Sequence, residues 1–186
     1  LVAMHFAMQA SYPLALAVSV VAGGFLVRTF IIMHDCGHGS FFRSRRANDL
    51  VGFVTGALTL TPYAQWAKDH AIHHATSGRL DKRGYGDIET LTVAAHLALG
   101  RAGRLTARSH PDAGVLLVAA PSLLVGPRAV VAIYTPTVFF AAAAGIWLFY
   151  VQHQYERTYW ASGKDWDYAT AAVAGSSYYR LPRVLD

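Results

Sequence analysis

Cysteine is almost absent from this sequence: Cys36 stands alone among 186 residues. An internal disulfide is thereby excluded, and so is a metal site built on several thiolates, which leaves nitrogen and oxygen as the donors for any ion the chain holds. With a single thiol, cysteine usage says nothing about redox compartment. Charge is scarce too. Only 15% of the residues are Asp, Glu, Lys or Arg, against 54% apolar, and the mean hydropathy is +0.29, a balance that belongs to membrane proteins rather than soluble ones. Acidic residues number 11 against 16 basic ones, for a formal charge of +5. The Lys and Arg are not interleaved with stacking aromatics along a polar stripe, so nucleic acid is not an expected partner. Also lacking are an initiator Met, the basic n-region of a signal peptide, an internal repeat, and any flavin, haem or iron–sulfur motif. The start at Leu1 and the polar close at Asp186 point to a fragment.

Long apolar runs and histidines are what the chain does have. Leu14 to Met33 is interrupted only by Arg28, and a helix of that length crosses about 30 Å of hydrocarbon. Arg28 lies near its end, where a long side chain snorkels to water. Leu50 to Leu60 is apolar but rich in Gly and Thr and closed by Pro62; it is too short to span and is expected to be an interfacial segment over 50–61. Asp112 to Val151 is apolar again with Arg128 as its only basic residue, which suggests a helical hairpin turning near Gly126, Pro127 and Arg128. Its arms are 113–125, short for a full crossing, and 130–151. The expected architecture is one domain over 1–186, an all-α integral membrane protein with transmembrane helices at 14–33, 113–125 and 130–151 and a histidine-rich cap. Of the 16 Lys and Arg, ten lie between His34 and His110 and four follow Val151. This topology places both stretches on one side, and the excess of positive charge makes that side cytoplasmic.

The same side collects most of the histidines. His34 and His38 are spaced i, i+4, and His70, His73 and His74 are spaced i, i+3, i+4. On a helix each set projects from one face, within reach of a common ion. Imidazole suits Fe, Zn, Cu and Ni, and it withstands oxidising chemistry that would consume thiolates. His153, at the end of the second hairpin arm, is a third candidate. Asp35 and Asp69 each adjoin a candidate ligand and would orient imidazoles, and Glu156 would either do the same or bind metal itself. A lone HxxxH is more often a pair of surface or packed histidines than a metal site, and it is the coincidence of two clusters on one side that carries the metal reading. His5, His96 and His110 have no partner at metal spacing and read as structural or solvated. Trp147, Phe149, Tyr150, Tyr159 and Trp160 flank an interface and read most simply as an aromatic belt, with some free to line a cavity.

HDCGHGSFF at 34–42, HAIHHATSG at 70–78, GDIETLT at 86–92 and WLFYVQHQYERTYW at 147–160 resemble the integral-membrane fatty acid desaturase family, in particular its bacterial omega-6 (Δ12) branch. The resemblance implies four transmembrane helices, a cytoplasmic cap and a non-haem di-iron centre held almost wholly by histidines. It assigns His34 and His38 to a first histidine box, His70, His73 and His74 to a second, and His153 to an additional ligand after the last membrane helix. Two departures stand out. The family has a further HxxHH after a stretch like GSSYYRLPRVL, and this sequence closes there; the connection from His110 to Trp147 is also short. The chain is thus expected to be truncated and internally shortened, with six histidine ligands where two ions want roughly eight donors.

A methylene C–H has neither an acidic proton nor a leaving group, so acid/base or nucleophilic catalysis has nothing to grip. The resemblance accordingly implies a pair of irons, O2 as co-substrate, a fatty acyl lipid or thioester as substrate, and two electrons from a ferredoxin or cytochrome b5-like donor, at a bacterial inner membrane. A hydroxylase, ketolase or alkane monooxygenase of the same superfamily would use similar boxes, and an inactive remnant would bind nothing. A haem carrier would want its histidines inside the bilayer, and a metal transporter would want ionisable residues at mid-depth.

Overall fold

Serine and proline start the long helix. Ser11 is extended (φ −166°, ψ 145°), and its hydroxyl accepts the Leu14 amide at 3.3 Å, while Pro13 occupies the first turn, where no N–H is required of it. From there α2 (Tyr12–Gly37) runs 26 residues, about 39 Å at 1.5 Å per residue. It therefore carries His34 inside its last turn, and His38 caps it by donating its backbone N–H to His34 O. Gly39, at φ +69°, ends the helical path.

The computed structural model describes residues 2–82, 98 and 126–177. Among them there is no β-strand, only an isolated parallel bridge between Arg79 and Ala161, and the fold is all-α. In chain order the other α-helices longer than one turn among these residues are α1 (Val2–Ala10), α3 (Arg45–Leu58), α4 (Tyr63–Thr76), α5 (Thr135–His153) and α6 (Tyr168–Ala174). The expected segment 113–125, the GDIETLT stretch, His96 and His110 lie outside the described residues. The contacts divide the chain into two compact units: residues 1–63 with 91–144, and residues 64–90 with 145–186.

In the first unit, α1 and α3 both pack on α2. Gly23 brings α2 and the first half of α5 close together: a Cβ there would lie 3.1 Å from Phe140 Cβ and 3.2 Å from Thr137 O, the close approach that small residues allow between apolar helices. Thr137 meets Met4 of α1 at 3.5 Å. Ahead of α5 the chain makes a π turn over Val130–Tyr134. Pro136, in the first turn of α5, has no N–H to return to Ala132, and the wider turn absorbs that break.

Helix α3 is built inside out. Its buried residues are Asn48, Gly52, Thr55 and Gly56, whereas Leu50, Phe53, Val54 and Leu58 are 54–67% exposed. Ser44 caps its first turn, accepting the Ala47 amide at 3.4 Å. The fully buried Asn48 then pins the preceding loop, accepting the Phe42 amide at 2.9 Å and donating to Phe42 O at 2.8 Å and Ser44 O at 3.1 Å. Glycine at 52 makes room for the Tyr63 ring, which a Cβ there would overlap unless the ring shifted.

Among the described residues, two helical stretches are long and apolar enough to cross a membrane: Tyr12–Gly37, with mean hydropathy 2.1, and Val130–His153, with 1.7. Only 17% and 22% of their apolar windows are buried, and Phe25 and Phe139 are 72% and 64% exposed. The core helix of a soluble protein hides such residues; here they call for an apolar solvent.

In the second unit, the end of α4 is clasped by the chain that follows α5. Leu80 donates to Ala161 O at 2.9 Å and Ala161 to Gly78 O at 3.0 Å. Trp166 Nε1 donates to Ser77 O at 3.0 Å, the Arg79 guanidinium lies 5.5 Å from the Trp166 ring centre, and the Gly163 amide donates to Asp81 at 3.1 Å. Gly78 is required twice over: its φ is +72°, and a Cβ would come within 2.7 Å of Tyr159 O. Asp167 caps α6, accepting from the Thr170 amide and hydroxyl.

Candidate metal centre

The candidate ligands form one group in each unit. In the first, His34 and His38 stand one turn apart at the C-terminal end of α2, with their Nε2 atoms 3.3 Å from each other and ring centres 4.6 Å apart. His34 Nδ1 lies 3.0 Å from Asp35 Oδ1. A carboxylate only accepts, so Nδ1 carries a proton and donates it, and whenever the ring holds that proton alone its lone pair is on Nε2, the atom turned toward His38. Burial, and secondarily the charge of His34, hold the His38 pKa below the ordinary histidine range against the opposing pull of Asp35. A neutral ring is what a metal requires.

In the second unit α4 presents His70 and His74 in the same manner, with Nε2 atoms 3.1 Å apart. Here ring packing provides the orientation. Trp66, one turn before His70, stacks on it with centres 4.5 Å apart and planes 18° from parallel. His73 adjoins both histidines, its ring centre 5.7 Å from that of His70 and 5.5 Å from that of His74. It is 4% exposed and meets His153, the last residue of α5, edge to face at 5.1 Å, with Phe149 against both rings at 5.6 and 4.7 Å. A cavity of 20 Å³ adjoins them, lined by His73, Gly78, Phe149, His153, Thr158 and Trp160 among others, enough room for one water-sized group.

Whether these side chains suit a metal is a matter of distance. Two imidazole nitrogens bound to one first-row ion at about 2.1 Å are about 3.0 Å apart at right angles and about 3.4 Å apart at a tetrahedral angle. Both measured separations, 3.3 and 3.1 Å, fall in that interval. Each i, i+4 pair is thus shaped to chelate one ion through Nε2, and nitrogen-only donors select Fe, Zn, Cu or Ni rather than Ca or Mg.

The other candidate residues are placed as follows. Asp69 receives both of its hydrogen bonds from the Gln65 amide nitrogen, at 3.0 and 2.9 Å. Glu156 is exposed in the turn after α5. Trp147 and Tyr150 are 48% and 58% exposed, as a belt residue would be, whereas Phe149 and Trp160 line the cavity beside His73 and His153. Sequence reasoning passed over Trp66 and Phe149 as ring partners. Both stand one turn before a histidine, at His70 and His153, and that spacing was the available signal.

Comparison with known proteins bears on these residues. The profile of the family described as "Fatty acid desaturase" matches residues 10–111. A protein named "Fatty acid desaturase" from Bacillus subtilis (strain 168) is 39% identical over 219 aligned positions, covering 98% of this chain and 62% of that protein. Since this chain has 186 residues, the longer alignment means that the relative has residues opposite gaps here. The "sn-1 acyl-lipid omega-3 desaturase (ferredoxin)" of Synechocystis sp. (strain ATCC 27184 / PCC 6803 / Kazusa) is 37% identical over 62 residues, 33% of this chain and 17% of that one. The "Omega-3 fatty acid desaturase fat-1" of Caenorhabditis elegans is 36% identical over 64 residues, 34% of this chain and 16% of that one. The chain thus spans less than two thirds of the length of each of these relatives. No solved structure matches.

Proposed function

Because the chain belongs to the fatty acid desaturase family, we propose that it carries the histidine-ligated, non-haem di-iron centre of a membrane enzyme that introduces a cis double bond into a fatty acyl chain. The proposed protein ligands are His34, His38, His70, His73, His74 and His153. The observation that carries the reading is the Nε2 separation of 3.3 and 3.1 Å in two i, i+4 histidine pairs, both inside sequence that resembles the family's histidine boxes. Iron bound there, with O2, supplies the oxidising power that removal of two hydrogens from unactivated carbons demands.

The chain's own residues hold, orient and exclude. Asp35 fixes the tautomer of His34, so that its lone pair is presented at Nε2. Trp66 and Phe149 set ring planes in the second group by packing. Asp69, next to His70 in sequence, and Glu156, three residues after His153, are proposed to take up imidazole N–H groups when the ions are bound. The proposed membrane-crossing segments are 14–33, 113–125 and 130–151, with 50–61 at the interface. By the distribution of Lys and Arg the histidines face the cytoplasm, at a bacterial inner membrane. The same basic face favours an acidic electron donor. The Synechocystis relative is named for an acyl-lipid substrate and for ferredoxin, which favours that pairing here over an acyl thioester and a cytochrome b5-like donor. The double-bond position is proposed as omega-6, from the resemblance.

The test is expression of the chain in a bacterial host, with iron analysis of the purified protein and mass spectrometry of host fatty acids. The expected outcome is two irons per chain, no Soret band, and a new cis double bond at the omega-6 position that disappears in His74→Ala at equal expression. A hydroxylated or omega-3 product would replace the omega-6 assignment. Absence of both iron and product would remove the enzyme reading.

A further inference from the structure

The inside-out character of α3 gives it a partner. Its inward face is small and polar, Asn48, Gly52, Thr55 and Gly56, and its outward face is Leu50, Phe53, Val54 and Leu58, all more than half exposed. A helix in water buries the opposite set. Arg46 lies on that outward face, four residues before Leu50 and seven before Phe53, and it is exposed, as is Arg43 in the loop before the helix. Arg45 has turned away to Asp49, at 3.3 Å. Phe41 and Phe42, in the loop just before the helix, pack edge to face and are partly exposed.

The level of α3 follows from its contacts. At its C-terminal end Gly56 approaches Met33 Sδ, 3.6 Å from an ideal Cβ position, and Thr59 bonds the same sulfur at 4.0 Å. Met33 lies one turn before the end of α2, where the apolar stretch gives way to His34 and Asp35. If α2 crosses the bilayer, α3 therefore meets it where hydrocarbon yields to headgroups. An apolar face with cations at one end, at that depth, matches a phospholipid monolayer: acyl chains against Leu and Phe, phosphates against guanidinium groups.

We infer that Leu50, Phe53, Val54 and Leu58 are embedded in the acyl layer and that Arg43 and Arg46 bind the headgroups of anionic phospholipids, so that α3 anchors the histidine-bearing end of α2 at a negatively charged leaflet. The inference rests on the membrane reading given above and adds to it a defined surface and a headgroup preference.

The experiment uses the full chain in vesicles of phosphatidylcholine with or without phosphatidylglycerol. Spin labels are placed one at a time at Phe25→Cys on α2 and at Val54→Cys on α3, the native Cys36 being fully buried, and each label is tested for collision with O2 and with an aqueous nickel chelate. Expected are lipid-like accessibility at both sites, together with enrichment of phosphatidylglycerol around the wild-type chain. Arg43→Gln and Arg46→Gln should each lower that enrichment about fivefold, the factor equivalent to about 1 kcal/mol per basic residue near an anionic surface, with helix content unchanged by circular dichroism. A lipid-like label at 25 with an aqueous label at 54 overturns the inference and leaves the membrane reading intact. Aqueous labels at both sites overturn both. A phosphatidylglycerol preference unaltered in the two arginine variants, or absent from the wild type, overturns the headgroup assignment.

Discussion

The two histidine pairs reach nearly the same geometry by different physical means. On α2, His34 is aimed by a hydrogen bond: Asp35 is its sequence neighbour, and at 3.0 Å it selects the tautomer. On α4, His70 is aimed by a surface, the Trp66 ring stacked 4.5 Å away, and the helix end beneath it is held by a clasp closed more than 80 residues later, as in Trp166 to Ser77. A hydrogen bond controls where the proton sits and works within one helical turn. Packing controls only where the ring plane lies, and it depends on long-range closure of the unit. The first pair should thus be locally determined and sensitive to proton chemistry, and the second globally determined and sensitive to shape.

That contrast breaks most visibly at the clasp. Gly78→Ala places a Cβ on a residue at φ +72° and 2.7 Å from the Tyr159 carbonyl, a change expected to cost about 3 kcal/mol. Hydrogen exchange should show protection at Leu80 and Ala161 falling about 100-fold, while amides around His34 are unaffected. Next in size is Asp35→Asn, in which the neighbour no longer dictates which nitrogen of His34 carries the proton. Metal affinity of the first pair should fall 10- to 100-fold, as is usual for loss of such a partner, in a competition titration that leaves the second group unchanged. Trp66→Ala should do the reverse and less, weakening metal binding at His70 and His74 about fivefold, equivalent to about 1 kcal/mol of ring stacking. The smallest effect is at Asp81, whose carboxyl is held below the ordinary range by the Gly163 amide and then by Arg79. A lowered folded-state value means a contribution that is whole above the unfolded carboxylate pKa of about 3.9 and lost as pH falls through the folded value. Exchange of the Gly163 amide should accelerate below that range in the wild type and be pH-flat, apart from chemical exchange, in Asp81→Asn.

How much of this was legible in the sequence follows the same division. The i, i+4 spacing of His34 with His38 and of His70 with His74 is local, and it predicted each pair's shared face. The burial of His73 was not legible, because it answers to Phe149 and His153 in a helix far along the chain. The Leu14 to Met33 run identified α2, but the helix extends to Tyr12 and Gly37 because Ser11 caps one end and nothing breaks the other before Gly39. Apolar character marked a segment from Leu50, whereas α3 begins at Arg45: Ser44 and Asn48 set its start through side-chain hydrogen bonds that hydropathy does not register. The clasp of 77–82 on 159–166 left no periodic trace, since it consists of backbone bonds with single contacts from Asp81, Arg79 and the Trp166 indole.

The most direct test of the account is X-ray absorption at the iron edge of the purified chain, recorded for the wild type and for His34→Ala/His74→Ala. The account predicts two irons per wild-type chain with nitrogen or oxygen scatterers at about 2.1 Å, imidazole outer shells and no sulfur, and a fall in iron content and in that imidazole signal in the double variant. Iron bound with a sulfur scatterer, or a spectrum and stoichiometry unchanged when both histidines are removed, would contradict it.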